Sequence, residues 1–297
     1  VEQQILTGGD WQVKAKDVQP GGWAFEFHND TYPDLDDTSE IVMALDRLAL
    51  PSNASKIQAI QRAVDWLLGM QSTNGGWAAF DKDNTNALIA KLPFLDFGET
   101  IDPPSVDVTA HILEMMGQLG FSTNHPAVAR GLEYIFREQE EDGPWFGRWG
   151  VNYVYGTGAV LPAFKALGLD MRSEPVSRAV KWLIHHQNDD GGWGESCVSY
   201  VDPAYRGKGS STASQTAWAL LALIAASEAG GEAARRGVEY LLVTQNQEGS
   251  WDEPYFTGTG FPRDFMIRYH MYKDYWPLMA LGQYREAVSG RTGKRYA

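Results

Sequence analysis

Residues 62–77 read Arg62-Ala-Val-Asp-Trp66-Leu-Leu-Gly-Met-Gln71-Ser-Thr-Asn-Gly75-Gly-Trp77. The frame is a basic residue and a small one, an aromatic and an aliphatic, then Gln, Gly and Trp. It recurs with identical offsets at Arg130–Trp145, Arg178–Trp193 and Arg236–Trp251. Such repetition denotes one supersecondary unit stacked into a helical array or closed toroid. Within the unit, Arg62, Trp66 and Met70 fall four apart on one helical stripe, and Gln71 closes the helix before the Asn74-Gly75-Gly76 break. The Gln amide is therefore expected to bond the carbonyls left open by its own helix end, together with the next backbone. Trp77 returns as a large planar apolar cap. The repeat reads as a structural staple between neighbouring helices, not as a ligand-stacking surface.

Working outward, helical patterns run at about 38–49, 57–70, 106–119, 127–139, 156–167, 176–187, 211–228, 233–245 and 275–286, with no β-alternating segment of comparable strength. The staples end alternate helices, which implies two layers: staple-bearing helices outside, apolar helices such as Thr216–Ala226 inside. The fold expected is an all-α, α/α toroid of the six-hairpin type, one domain over 1–297. Nine helices fall short of the twelve that six hairpins need, so the ring is expected to be incomplete in this chain. Loops at 78–105 and 194–210 are long enough to shape a site.

The net charge of −13 and pI near 4.9 argue against nucleic acid as a partner, since that affinity rests on Lys and Arg neutralising phosphates. Cys197 is the single cysteine, which permits no internal disulfide and fits a reducing compartment. The apolar run Ala217–Ala226 is too short to span a bilayer. The chain opens at Val1 in polar, mid-protein-like sequence, so it is expected to be part of a longer polypeptide.

Ahead of the first inner helix stands Tyr32-Pro-Asp34-Leu-Asp36-Asp37-Thr-Ser-Glu40. Three carboxylates in four residues repel one another, which raises the proton affinity of at least one. A capping box from Asp37 to Glu40 would account for Asp37 and leave Asp34 and Asp36 unexplained. Asp81-Lys-Asp83-Asn-Thr85 lacks the Gly and distal Glu of a calcium loop, and no metal is expected.

The staples resemble the QW motifs of triterpene cyclases, and Asp34-Leu-Asp36-Asp37 is similar to the Asp-x-Asp-Asp motif of bacterial squalene-hopene cyclases. Phe25, Val106–His111, Arg148–Tyr153 with Tyr155–Thr157, Gly191–Ser196 and Phe261–Tyr284 look like the same family in the same order, over essentially the whole chain. The resemblance implies that Asp36 donates a proton to an alkene while a histidinium, His111, hydrogen-bonds it. Asp34 and Asp37 would complete the cluster, with Asp107 one helical turn before His111. By the same resemblance, Phe25, Phe97, Trp149, Phe261, Phe265, Tyr269 and Tyr272 would face the migrating cation, and Tyr155 would aid reprotonation of the acid. Phe80 stands where the resemblance leads one to expect tyrosine.

The function so implied is protonation-initiated cyclisation of squalene to hopene, with hopanol as co-product, needing no metal or organic cofactor. The fragment itself is expected to be soluble, to associate as a homodimer and to be inactive alone. The full-length enzyme is expected at the cytoplasmic side of the bacterial membrane, peripheral and monotopic. Alternatives are a class II diterpene cyclase, which would want a basic pocket, and a non-catalytic α/α toroid binding module, against which the aspartate cluster argues. A prenyltransferase zinc site fails because Glu195, not Asp, stands two before Cys197. Oxidosqualene cyclases carry Asp-Cys-Thr where this chain has Asp36-Asp37-Thr38.

Overall fold

The computed structural model describes residues 1–26, 29, 31–49, 54–86, 88–89, 101–262 and 264–290. It divides into two compact units, Val1–Arg137 and Glu138–Gly293.

In the first unit a two-residue strand β1 (Trp23–Ala24) pairs antiparallel with β2 (Pro33–Asp34), and β2 runs directly into α1 (Leu35–Arg47). Helices α2 (Ala54–Gly69), α3 (Val106–Gln118) and α4 (Pro126–Arg137) follow. α1 packs on α3, and each is backed by its successor, α2 or α4. In the second unit α5 (Tyr153–Ala166) and α7 (Ala213–Ala225) pack together, α6 (Glu174–His185) and α8 (Glu232–Thr244) back them, and α7 also meets α9 (Tyr272–Ser289). A hairpin of β3 (Gly258–Phe261) and β4 (Phe265–Ile267) precedes α9.

Burial separates the layers as expected. Every residue of α7 is buried, whereas α8 buries only Ala234, Gly237 and Leu241 along one stripe. A largely apolar helix enclosed on all sides and an amphipathic helix exposed on one face are the two ways such sequences satisfy the hydrophobic effect.

The staple works by a different bonding scheme from the one expected. Gln71 does not cap its own helix. Its Nε2 donates to Gly75 O (2.8 Å) and to Ala127 O (2.9 Å) in the first turn of the next outer helix, while Arg130 of that helix donates to its Oε1. The helix's own end is bonded by the tryptophan, Trp77 Nε1 donating to Leu67 O at 2.7 Å. Gln139 and Gln187 bond Pro175 O and Ala233 O, and take Arg178 and Arg236, in the same way. Trp193 and Trp251 likewise return to Leu183 O and Leu241 O. The physical reason is reach: the buried indole lies under its own helix end, and the amide lies outside it, facing the neighbour.

The glycine cannot be replaced. Gly75, Gly143 and Gly191 have φ of +94°, +117° and +90°, and a Cβ on any of them would collide with the backbone carbonyl of the next repeat's arginine. A further staple emerges at the start of the chain. Gln4 donates to Gly21 O (2.6 Å) and Ala59 O (2.8 Å), Arg62 donates to Gln4, and Trp23 completes the Gly-x-Trp end. Its Gln and Gly lie 17 apart instead of four.

Candidate active site

The acidic motif begins where the short strand pair ends. Extended Asp34 at the close of β2 is the N-cap of α1, and its Oδ1 accepts from Asp37 N at 2.9 Å. Capping thus accounts for Asp34, and the helix starts three residues earlier than a box from Asp37 to Glu40 requires. Thr38 locks this turn, donating to Asp34 O (2.6 Å) and accepting from Trp23 N (2.9 Å). The equivalent threonine recurs under three of the staple tryptophans: Thr109 under Trp77, Thr157 under Trp145 and Thr216 under Trp193. The staple frame therefore aims the N-terminus of each of these inner helices.

Asp36 sits one position into α1 with its side chain 26% exposed, and its Oδ1 lies 2.7 Å from His111 Nδ1 on α3, 75 residues away. Glu40 Oε1 is 3.9 Å from the same nitrogen. His111 is 6% exposed and Asp107, a turn earlier, 1%, its Oδ1 accepting from Val108 N at 3.1 Å. Burial alone would push the His111 pKa down. The charge and hydrogen bond of Asp36, with the charges of Glu40 and Glu114, outweigh it and lift the group to about 10, so the ring is an imidazolium. Burial, reinforced by Asp37 and Asp36, raises Asp34 well above the usual carboxylate range. Burial and then Asp36 take Asp37 to about 6. The cluster thus combines a cationic donor on one Asp36 oxygen with acidic neighbours that resist ionisation.

Phe25 in this unit is 55% exposed, and Phe80 is held by its backbone N–H on Asp102 Oδ2 at 2.7 Å. Phe97 lies outside the described residues.

The remaining candidates belong to the second unit, where a loop–strand contact brings distant aromatics together. Gly150 bridges Gly258, Thr259 N donates to Trp149 O (3.0 Å) and Val151 N to Thr257 O (2.9 Å), so Trp149 and the strand of Phe261 are neighbours. Phe261 pairs with Phe265 across the hairpin, ring centroids 6.4 Å apart, with Phe265 49% exposed. Tyr269 stacks on Tyr272 at 4.7 Å. Tyr155 is buried between the Gly150 backbone, where any Cβ would strike its ring, and Trp218 at 4.7 Å.

Sequence reasoning missed Trp218. It meets Tyr155, Tyr272 and Trp276, and so links aromatics that the chain scatters over 120 residues. Nothing in a fully buried helix marks its tryptophan as the hub. Tyr200 was also missed: its hydroxyl lies 3.1 Å from Arg148 O and 2.8 Å from Gly150 O, the two carbonyls that flank Trp149.

With this geometry in view, the likeness to solved structures defines the class. A type II terpene cyclase from Scytonema, MstE, solved in complex with merosterolic acid A, matches with a TM-score of 0.61 at 17% identity, over 94% of this chain and 80% of that one. The fold is all-α, of the α/α toroid class. The family model for the squalene-hopene cyclase C-terminal domain matches residues 1–286, and the chain belongs to that family. Squalene--hopene cyclase of Alicyclobacillus acidocaldarius is 58% identical over 291 residues, 98% of this chain and 46% of the relative. That of Zymomonas mobilis is 49% identical over 287 residues, 95% of this chain and 44% of the relative. The chain spans about half the length of these curated relatives.

Proposed function

We propose that this chain carries the acid-initiation site of a squalene-hopene cyclase. Asp36 transfers its carboxyl proton to a terminal alkene carbon of squalene. The alkene's electron pair forms the new C–H bond, leaving a tertiary cation on the adjacent carbon and a carboxylate on Asp36. The histidinium of His111, hydrogen-bonded to that carboxylate, stabilises the charge left on it. Each later alkene attacks the cation in turn, and the last cation loses a proton to give hopene or adds water to give hopanol. Trp149, Phe261, Phe265, Tyr269 and Tyr272, with Phe25 and Phe97, stabilise the cation by their ring faces, about 0.5–2 kcal/mol each when desolvated, without trapping it. Tyr155 aids return of the proton to Asp36.

The single observation that carries this reading is the 2.7 Å pair between Asp36 and His111 inside a crowded carboxylate cluster. Residues 1–297 act as one α/α barrel domain, a reading supported by the unbroken repeat. The chain taken alone is inactive, because a cation formed in an open site meets water. Squalene dissolves in bilayers, and among the described residues no helix is long and apolar enough to cross one. Peripheral attachment at the cytoplasmic face and self-association as a homodimer are part of the same proposal. The test is the complete gene product incubated with squalene, with products identified by mass spectrometry. Hopene from the parent and none from Asp36→Asn is the expected result, and equal turnover by both would refute the assignment.

A further inference from the structure

In the first four staples the glutamine is matched by a helix. Gln4, Gln71, Gln139 and Gln187 each donate to the carbonyl three residues before an arginine, at Ala59, Ala127, Pro175 and Ala233, and each takes that arginine on its Oε1. The matching glycines, Gly21, Gly75, Gly143 and Gly191, are buried against the arginine's carbonyl. The last staple keeps its inner half. Trp251 is 1% exposed and bonds Leu241 O, and Gln245 Nε2 bonds Gly249 O at 2.9 Å.

Its outer half is open. Gln245 and Gly249 are exposed, Gln245 has no other hydrogen bond among the described residues, and a Cβ on Gly249 would meet nothing within 4 Å despite a φ of +80°. At the same end of the array α9 exposes Tyr275 (41%) and Leu278 (58%). The glycine conformation and the amide are thus set for a neighbour that the other staples define in detail.

We propose that the Gln245–Gly249 face docks an α-helix that presents a backbone carbonyl in its N-terminal part and, three residues later, an arginine followed by glycine or alanine. The four helices of this chain with that signature, α2, α4, α6 and α8, are each already engaged by a glutamine, so a second folded copy has none to offer. The occupant comes from the same polypeptide outside residues 1–297, for which the roughly doubled length of the relatives supplies the source. The proposal stands apart from the catalytic reading and survives its failure.

The experiment uses the complete gene product. Lys273, whose Nζ bonds Ser250 beside this loop, is the anchor for amine-reactive cross-linking followed by peptide mass spectrometry. The expected cross-link joins Lys273 to a segment outside 1–297 that contains Arg-Gly or Arg-Ala. In parallel, Gln245→Ala should lower Tm by as much as Gln187→Ala. Cross-links confined to residues 1–297, or joining isotopically distinct copies, would overturn the proposal. So would a Gln245→Ala variant whose Tm equals the parent's while that of Gln187→Ala falls. The cross-link is read on the parent protein, so a variant that fails to fold leaves the test intact.

Discussion

Both units bury carboxylates at the N-termini of inner helices, and they treat them in opposite ways. In the second unit Glu195 Oε2 accepts from Asn152 N (3.2 Å) and Val154 N (2.9 Å) at the start of α5. Glu253 accepts from Ser214 N and Oγ (both 2.9 Å) at the start of α7, and from Thr257 Oγ1 at 3.1 Å. Each glutamate stands two residues after a staple tryptophan and closes the end of the preceding inner helix. In the first unit the residue at that place is Ala79, whose carbonyl accepts from Leu35 N, and the acids come from α1 itself. Three of them crowd together, with the backbone N–H groups of Asp36 and Asp37 on Asp34 and a histidinium on Asp36. Burial raises the acids of both units. Fixed backbone donors make a carboxylate a stable cap, while crowding beside a histidinium suits one to the proton-donating role proposed for Asp36.

The comparison breaks most visibly at Asp36. Asp36→Asn in the complete gene product should cut turnover by about 10²–10⁴-fold, the range of a general acid, with Tm held. A loss that tracks a falling Tm would make Asp36 a cap like the glutamates. Next comes the frame both sites share: Trp193→Ala should cost about 3–5 kcal/mol of stability, read as a large drop in Tm by calorimetry, with product ratios unmoved. Changed products at unchanged Tm would contradict a purely structural staple.

Glu253→Ala should cost about 1–3 kcal/mol by stranding buried donors, again without altering products. Neutralising Asp37 should have the reverse sign. Asp37 titrates near 6 in the fold against an ordinary 3.8, so the folded state holds the proton more tightly and stability falls as pH climbs from 3.8 through 6. Asp37→Asn removes that loss and should raise stability above pH 6 by about 1–2 kcal/mol, the helix N-terminus favouring the charge offsetting part of the gain. Urea unfolding at pH 4 and pH 7 distinguishes the two signs. The smallest expected effect is at the cap itself: Asp34→Asn keeps the acceptor and should change Tm little, whereas Asp34→Ala loses about 1 kcal/mol. His111 adds a window of its own. Its pKa of about 10 against 6.5 means its pairing stabilises fully below pH 6.5 and is lost as pH rises through 10.

Much of this was legible in the chain because the repeat is local. Offsets of four and nine residues between Arg62, Trp66 and Gln71 describe one helix and its end, and the helices lie where the pattern placed them. The staple of Gln4, Gly21 and Trp23 escaped notice because a 13-residue excursion separates its glutamine from its glycine, although Gly21-Gly22-Trp23 repeats Gly75-Gly76-Trp77 in full. The glutamine's partners were misread for another reason. Local geometry offers the amide its own helix end, and only the neighbour's position shows that the indole already occupies it.

The sequence by itself determined the helical array, its two layers, the acidic turn before the first inner helix and the family. All are written in short-range spacing and residue type, which elementary helix geometry converts into faces and ends. Tertiary structure alone decided which glutamine holds which helix and that Trp218 joins Tyr155 to Tyr272, and it set the 2.7 Å between His111 and Asp36, the pair that the resemblance implies. Those pairings span 36 to 75 residues of chain. They form because packed helices bring their ends within hydrogen-bonding distance, and that distance depends on how each helix seats against its neighbour.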